Sequence, residues 1–173
     1  RLAENRLAWV LAKMHIKIER MHSGKSTLYT WPVAISRAQC RRDFRLADDD
    51  GRVLVTAATE WVIVDLTTRR VTRIPDFVAE VHPSNAELAL EESNYKFTIP
   101  QEAPALRITH ANDDDIDINN HVNNVRYVKW IERALPEDLI IRSFEIVYKT
   151  EAFLGDKIIA HGCEENGSFL VSL

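Results

Sequence analysis

The chain has 173 residues and an ordinary apolar content, enough for one full core or two small ones. A formal net charge of −4 argues against a general nucleic-acid binder, which is normally basic, and leaves any acidic partner to a local basic patch. No apolar run approaches the ~18 residues of a membrane span, and the first residues lack the apolar core of a secretory signal. The two cysteines, Cys40 and Cys163, have neither metal spacing nor a disulfide-framework pattern. The expectation is a cytoplasmic protein with reduced thiols, no metal and no membrane span. The chain starts without Met and stops inside an apolar run at Leu173, so both ends are expected to be incomplete.

Residues 1–8 read as the end of a helix. Met14, Ile16 and Ile18 then alternate with His15, Lys17 and Glu19, the period-2 signature of a half-buried strand. A turn at Ser23-Gly24-Lys25 leads to a second strand over 28–35, where Pro32 points to a sheet edge or a bulge. A third strand is predicted over 40–46. Asp48-Asp-Asp-Gly51 is a hairpin turn, and 53–66 is a long strand or a bent pair. Four prolines (Pro75, Pro83, Pro100, Pro104) punctuate the next stretch, and 85–92 is acidic with scattered Leu and Ala. It reads as a linker, residues 76–104, with a short helical piece. The earlier order then recurs. A short strand over 106–110 precedes an Asp/Asn loop, a helix to Leu135, a Pro136 break and strands over 140–150, 157–160 and from Phe169.

The recurrence is a weak internal repeat. Ile16-Lys-Ile-Glu-Arg-Met21 followed by Gly24 resembles Ile146-Val-Tyr-Lys-Thr-Glu151 followed by Gly155. The division is 1–75, 76–104 and 105–173, in an α+β layout. The halves differ where chemistry would sit, with Met21 in one and Glu151 in the other. One half is expected to work and the other to support it.

The chemistry concentrates in 113–135. Asp117, Asn119 and His121 are two apart, and in an extended segment such residues share a side. A helix follows, whose first N–H groups and positive end suit a developing anion. Asn123 or Asn124 is the expected N-cap. At 100° per residue Tyr127, Val128, Ile131, Ala134 and Leu135 face the core. Arg126, Lys129 and Arg133 lie opposite, either simply solvated or as a landing strip for an acidic partner. Asp113, Asp115 and Asp117 start like a calcium loop, but Ile118 and Asn124 stand where Gly and Glu are required, so 113–115 reads as a solvated turn. Glu151, at a predicted strand end, is either an exposed Glu or, if it faces Asn119 and His121, a general base for water. No Gly-x-Ser-x-Gly elbow is present, and Cys163 reads as a small buried residue.

Asp117-Ile-Asn-Asn-His-Val-Asn-Asn-Val-Arg-Tyr-Val-Lys-Trp-Ile131 closely resembles the acyl-[acyl-carrier-protein] thioesterases of plants and bacteria, whose motif reads Asp-x-Asn-x-His-Val-Asn-Asn, an aromatic, then Trp. Tyr148-Lys-Thr-Glu-Ala152 resembles the family's Tyr-x-x-Glu-Cys or Tyr-x-x-Glu-Ala block. In the first half Trp9-Val-Leu, Thr30-Trp31-Pro32, Arg42-Asp43-Phe44, Trp61-Val-Ile-Val-Asp65 and Arg69-Arg70 match too, so the resemblance covers nearly the whole chain. It implies a tandem hot-dog, in which each half is a curved antiparallel sheet wrapped around a central helix. It also implies that the first half's opening strand and most of its helix, and the last half's closing strand, lie outside this chain.

By the same resemblance the catalytic residues are Asp117, Asn119, His121 and Glu151. Plant members carry Cys after the Glu; Ala152 stands here, which favours a water assisted by Glu151 or His121 over a thiol nucleophile. The implied reaction releases a fatty acid and the carrier thiol, ending fatty acid synthesis. Backbone N–H groups at the helix start, with Asn119, would hold the oxyanion, and Asp117 would orient the set. No cofactor is implied, since the substrate brings its own phosphopantetheine arm. The implied partners are acyl carrier protein, a fatty acyl thioester and a second copy in a homodimer. Acyl carrier protein is acidic, so Arg126, Lys129, Arg133, Arg69, Arg70 and Arg73 are docking candidates. Trp9, Met14, Trp31 and Trp61 line an acyl tunnel or belong to plain core. A hot-dog acyl-CoA thioesterase, a hot-dog dehydratase or hydratase and a non-catalytic acyl-binding module are the rivals.

Overall fold

The structure, a computed structural model, describes residues 2–80, 87–93 and 97–173; readings that fall on residues 1, 81–86 and 94–96 lie outside the described residues. In chain order the strands are β1 (Leu7–Ile18), β2 (Ser26–Ile35), β3 (Gln39–Asp48), β4 (Val53–Asp65), β5 (Arg70–Thr72), β6 (Ala105–His110), β7 (Ser143–Val147), β8 (Lys157–Glu165) and β9 (Ser168–Ser172). The helices are α1 (Asp76–Ala79) and α2 (Asn124–Glu132). Contacts divide the chain into two compact units, Arg1–Ser93 with Ile141–Lys149, and Asn94–Ile140 with Thr150–Leu173.

The first unit is an antiparallel sheet in the order β2-β3-β4-β1-β7, with β5 on β4. The expected opening helix is instead a three-residue 3-10 turn, Ala3–Asn5. It ends where Arg6 adopts a left-handed conformation (φ 53°), and the alternating side chains from Leu7 onward then pair with β4. Residues 53–65 form one strand, not a bent pair. Pro32 sits on the edge strand β2, beside an irregularity in its pairing with β3; the ring has no N–H to give, and both places tolerate that. Gly51 closes the β3–β4 turn at φ +79°, donating its N–H to Asp48. Cys40, Ile63, Ile74 and Val78 form the core, with Trp9, Trp61 and Phe77 packed on it. Trp9 and Trp61 thus pack, partly buried, against the core. Trp31 on β2 lies under the Arg45 guanidinium (5.4 Å), and its indole N–H donates to the Glu87 carbonyl at 2.7 Å.

Ser143–Val147, expected among the strands of 105–173, hydrogen-bonds to β1 and clusters with the first unit. The pairs are Ile16–Phe144, His15–Glu145 and Met14–Ile146. Moving each residue to its repeat counterpart, Ile16 to Ile146 and Met14 to Phe144, exchanges the first pair with the last. The two strands of the internal repeat thus pair about a local two-fold at His15–Glu145. Lys13 closes the same junction with an ion pair to Glu145 at 2.6 Å.

Part of the linker is docked on this sheet. Asp43 on β3 is fully buried and takes two bonds from Arg41, at 2.7 and 2.9 Å. Asp43 also accepts the Ala89 N–H at 2.7 Å, Arg41 donates to the Leu90 carbonyl, and Lys13 donates to the Ser93 carbonyl at 3.0 Å. The Ala89 N–H and the Leu90 carbonyl find partners in a buried ion pair, which helps hold this polar stretch against the sheet. Among the described residues the helical piece of the linker is α1, four residues whose Val78 joins the core.

The second unit holds a three-stranded antiparallel sheet, β6-β8-β9, with α2. Ala111, Val122, Trp130 and Ala152 are its buried cluster, with Ile116, Tyr127 and Ile158 packed against it. Gly162 on β8 is required by close approach, since a Cβ there would stand 2.6 Å from Leu106 Cδ1 and 2.8 Å from the Leu170 carbonyl oxygen. Among the described residues no helix is long and apolar enough to cross a membrane.

Candidate active site

The four polar residues singled out by the sequence all lie in the second unit. They do not line up along an extended strand. Residues 117–121 form a tight turn, closed by the Asp117 N–H to the His121 carbonyl at 2.9 Å and by an antiparallel bridge between Ile116 and Val122. Asn120 turns the chain in the left-handed region (φ 62°), which Asn tolerates better than most residues. The Asp117 carboxylate takes the Asn119 backbone N–H at 2.8 Å and its side-chain amide at 3.4 Å, an Asx-type turn that fixes where Asn119 points. The expected pleat is replaced by a turn, in which the Asp117 side chain meets Asn119 while the His121 ring meets Glu151.

Glu151 comes from a loop and meets His121, with Oε1 3.4 Å from Nδ1. The contact is half-exposed, at 30% for His121 and 45% for Glu151. That distance is long for a hydrogen bond and short enough for the two groups to share one water or to close on substrate. The structure thus gives two pairs, Asp117–Asn119 and His121–Glu151, joined through the backbone of the turn. The Phe153 ring meets the His121 imidazole edge-on, with centroids 5.1 Å apart.

The Glu151 loop is held by its neighbour. Ala152, buried, accepts the Val122 N–H at 2.9 Å and gives its own N–H to the Tyr127 hydroxyl at 2.8 Å. Asp156 takes the Phe153 N–H at 2.8 Å, and Gly155, at φ +85°, completes the turn into β8. Burial pushes the Tyr127 phenol above its ordinary pKa; the Ala152 N–H opposes this, while the Glu151 and Asp156 charges add to it. Tyr127 is therefore a neutral phenol at neutral pH. The sequence placed it in the core, and its ring does pack on Trp130, with centroids 5.5 Å apart. The hydroxyl's partner was missed. The available signal was the choice of Tyr over Phe on a packed helix face, since a covered phenol usually finds a hydrogen bond.

Asn123 is the N-cap of α2, accepting the Val125 N–H at 2.9 Å with its side chain. Trp130, left out of the predicted core face, is the buried residue of the helix. On the other side the basic face is not uniform. Arg126 forms an ion pair with Asp115 at 3.4 Å and also donates to the Asp114 carbonyl. Asp115 is only 5% exposed and accepts the Asn112 N–H at 3.0 Å, so 113–115 is not a solvated turn but a capped 3-10 turn clamped by Arg126. Lys129 and Arg133 are exposed, and Arg107 donates to the Arg133 carbonyl at 3.2 Å. Arg69 and Arg70 lie in the first unit at the β4–β5 turn. Among the described residues no group of three or more His, Cys, Asp or Glu could hold a metal. Cys163 pairs with Leu170 across β8 and β9.

Two family models match in succession, the acyl-ACP thioesterase N-terminal domain over residues 1–81 and the acyl-ACP thioesterase C-terminal domain over residues 101–170. The chain belongs to the acyl-ACP thioesterase family. Its fold is that of the solved members, the hot-dog. A crystal structure of an acyl-ACP thioesterase from Bacteroides thetaiotaomicron superposes with TM-score 0.82 at 28% identity, over 98% of this chain and 72% of that one. The 12:0-ACP thioesterase from Umbellularia californica gives 0.81 at 25% identity, again over 98% and 72%. A chloroplastic palmitoyl-acyl carrier protein thioesterase from Cuphea hookeriana is 32% identical over 143 residues, 78% of this chain and 34% of that protein. The chain spans about a third to two-fifths of the length of such curated relatives.

Proposed function

We propose that this chain hydrolyses the thioester of fatty acyl-[acyl carrier protein], releasing a free fatty acid and the carrier thiol. The observation that carries the reading is the approach of Glu151 Oε1 to His121 Nδ1 beside the start of α2, in a chain of the acyl-ACP thioesterase family.

Glu151 takes a proton from a bound water, and the resulting hydroxide attacks the thioester carbonyl carbon. The Asn119 amide, aimed by Asp117, and the N–H groups at the start of α2 receive the charge on the carbonyl oxygen. The tetrahedral intermediate then collapses, the C–S bond breaks, and the departing thiolate recovers the proton from the His121–Glu151 pair. Water is consumed, one acid and one thiol are formed, and no cofactor takes part. Asp117 acts on Asn119, not on substrate. Loss of one oxyanion donor is expected to cost on the order of 3 kcal/mol in the barrier.

For the acidic carrier protein we propose Lys129 and Arg133 as the α2 contacts. Arg126 is tied to Asp115 and Asp114, so its replacement would disturb the fold as well as any docking. Arg69 and Arg70 stand as a separate candidate patch. The test is thiol release, followed with a thiol reagent, from matched carrier-bound and CoA-bound acyl thioesters. The expected result is faster turnover of the carrier-bound substrate, with Lys129→Glu raising KM for that substrate alone. No thiol release from either substrate would contradict the hydrolytic reading; equal use of both would move it to an acyl-CoA thioesterase.

A further inference from the structure

We propose that Tyr127 is a positioning residue for this reaction: its hydroxyl, by taking the Ala152 N–H, holds the Glu151 carboxylate opposite His121. The proposal rests on the hydrolytic reading above.

Glu151 belongs to no helix or strand. Its aim is set by the peptide unit that joins it to Ala152 and by what holds Ala152. The Ala152 carbonyl takes the N–H of Val122, the residue directly after His121. This bond fixes the distance between the two loops but leaves the Glu151 side free to swing about it. The second bond, from the Ala152 N–H to the Tyr127 hydroxyl, removes that freedom. The two bonds sit on opposite edges of one buried residue. They link the His121 turn, the Glu151 loop and α2 into a single frame.

The frame is stiff at the Tyr127 end. The ring is half-buried and meets Trp130, the buried residue of α2, edge to face. The phenol stays protonated at neutral pH, so the oxygen remains a neutral acceptor rather than an anion beside the Glu151 carboxylate. Phe at 127 would keep the ring contacts and remove only the acceptor. The Ala152 peptide could then rotate, and small misplacements of a reacting group are costly in rate.

The test uses the full chain and whichever saturated acyl-carrier protein the unaltered chain hydrolyses fastest. Tyr127→Phe is expected to lower kcat roughly ten- to hundred-fold with KM changed by less than about two-fold. Incorporation of 3-fluorotyrosine at 127 keeps the packing and weakens the acceptor, so an intermediate fall is expected; this variant decides the matter if Tyr127→Phe does not fold. In a Glu151→Gln background, Tyr127→Phe should change the residual single-turnover rate by less than about two-fold, because the group being positioned is gone. An unchanged kcat in the Phe or fluorotyrosine variant, or an equal loss in the Glu151→Gln background, overturns the proposal while leaving hydrolysis by Glu151 intact. A fully active Glu151→Gln chain overturns both.

Discussion

Glu151→Gln is expected to lower kcat for acyl thioester hydrolysis by roughly 10²–10⁴-fold, the range of a lost general base, with little change in KM. Gln has the size of Glu and can still bond to the His121 ring, so the change isolates basicity from shape. Half of the Glu151 surface is covered, and the rest of the loop is fixed by bonds of Ala152 and Phe153 that the substitution does not touch. Circular dichroism and the melting temperature should therefore match the unaltered chain. Steady-state kinetics on a carrier-bound substrate, with single-turnover rates for the slow variant, makes the comparison. A loss of kcat below ten-fold would mean that some other group activates the water.

Asp43→Ala is expected to have the largest effect on stability, about 3–5 kcal/mol, because it strands a buried partner. Arg41 is only 9% exposed, and its guanidinium holds Asp43 through two hydrogen bonds. Without Asp43 that charge stays covered with only the exposed Glu92 carboxylate, 3.9 Å away, to balance it, and the Ala89 N–H loses its acceptor. The melting temperature should fall by roughly 10 °C for a chain of this size. Replacing Arg41 and Asp43 together by apolar residues should recover part of the loss, since no orphan charge remains. Thermal melts of the three variants decide this. A double variant as unstable as Asp43→Ala would mean that the linker contacts, not the unpaired charge, dominate.

The first strand was legible because its side chains alternate, and the strands after it because turn signals such as Ser23-Gly24-Lys25 and Asp48-Asp-Asp-Gly51 mark their ends. Pro32 was legible as an edge because a missing N–H can be tolerated in few places. Other features depend on partners far away in sequence. Nothing local says that Ser143–Val147 will hydrogen-bond to β1, although the repeat linking Ile16 to Ile146 held the clue, since strands related by a two-fold can pair with each other. Nothing local says that residues 87–93 will lie on a buried Arg41–Asp43 pair, because the hydrogen bonds that tie them to it, through the Ala89 N–H and the Leu90 carbonyl, use main-chain groups that every sequence carries. At the site, residue types and spacing pointed to Asp117, Asn119 and His121. The turn that carries them hinges on Asn120 in a left-handed conformation, which the alternation argument could not foresee. Asp115 was read as part of a solvated turn and Arg126 as either solvated or free to dock an acidic partner, since exposure is the usual fate of such residues. Their mutual contact is visible only once α2 lies over the 3-10 turn.

The central claim is that Glu151 activates water and does not itself attack the thioester. Turnover in H₂¹⁸O tests this most directly, with mass spectrometry of both the released fatty acid and the peptide that contains Glu151. General-base hydrolysis predicts ¹⁸O in the fatty acid, none in the Glu151 carboxylate even after many turnovers, and no acyl adduct on the Glu151 peptide when turnover is quenched. Incorporation of ¹⁸O into Glu151 would reveal an acyl-enzyme anhydride opened by water at the Glu151 carbonyl, and would contradict the account.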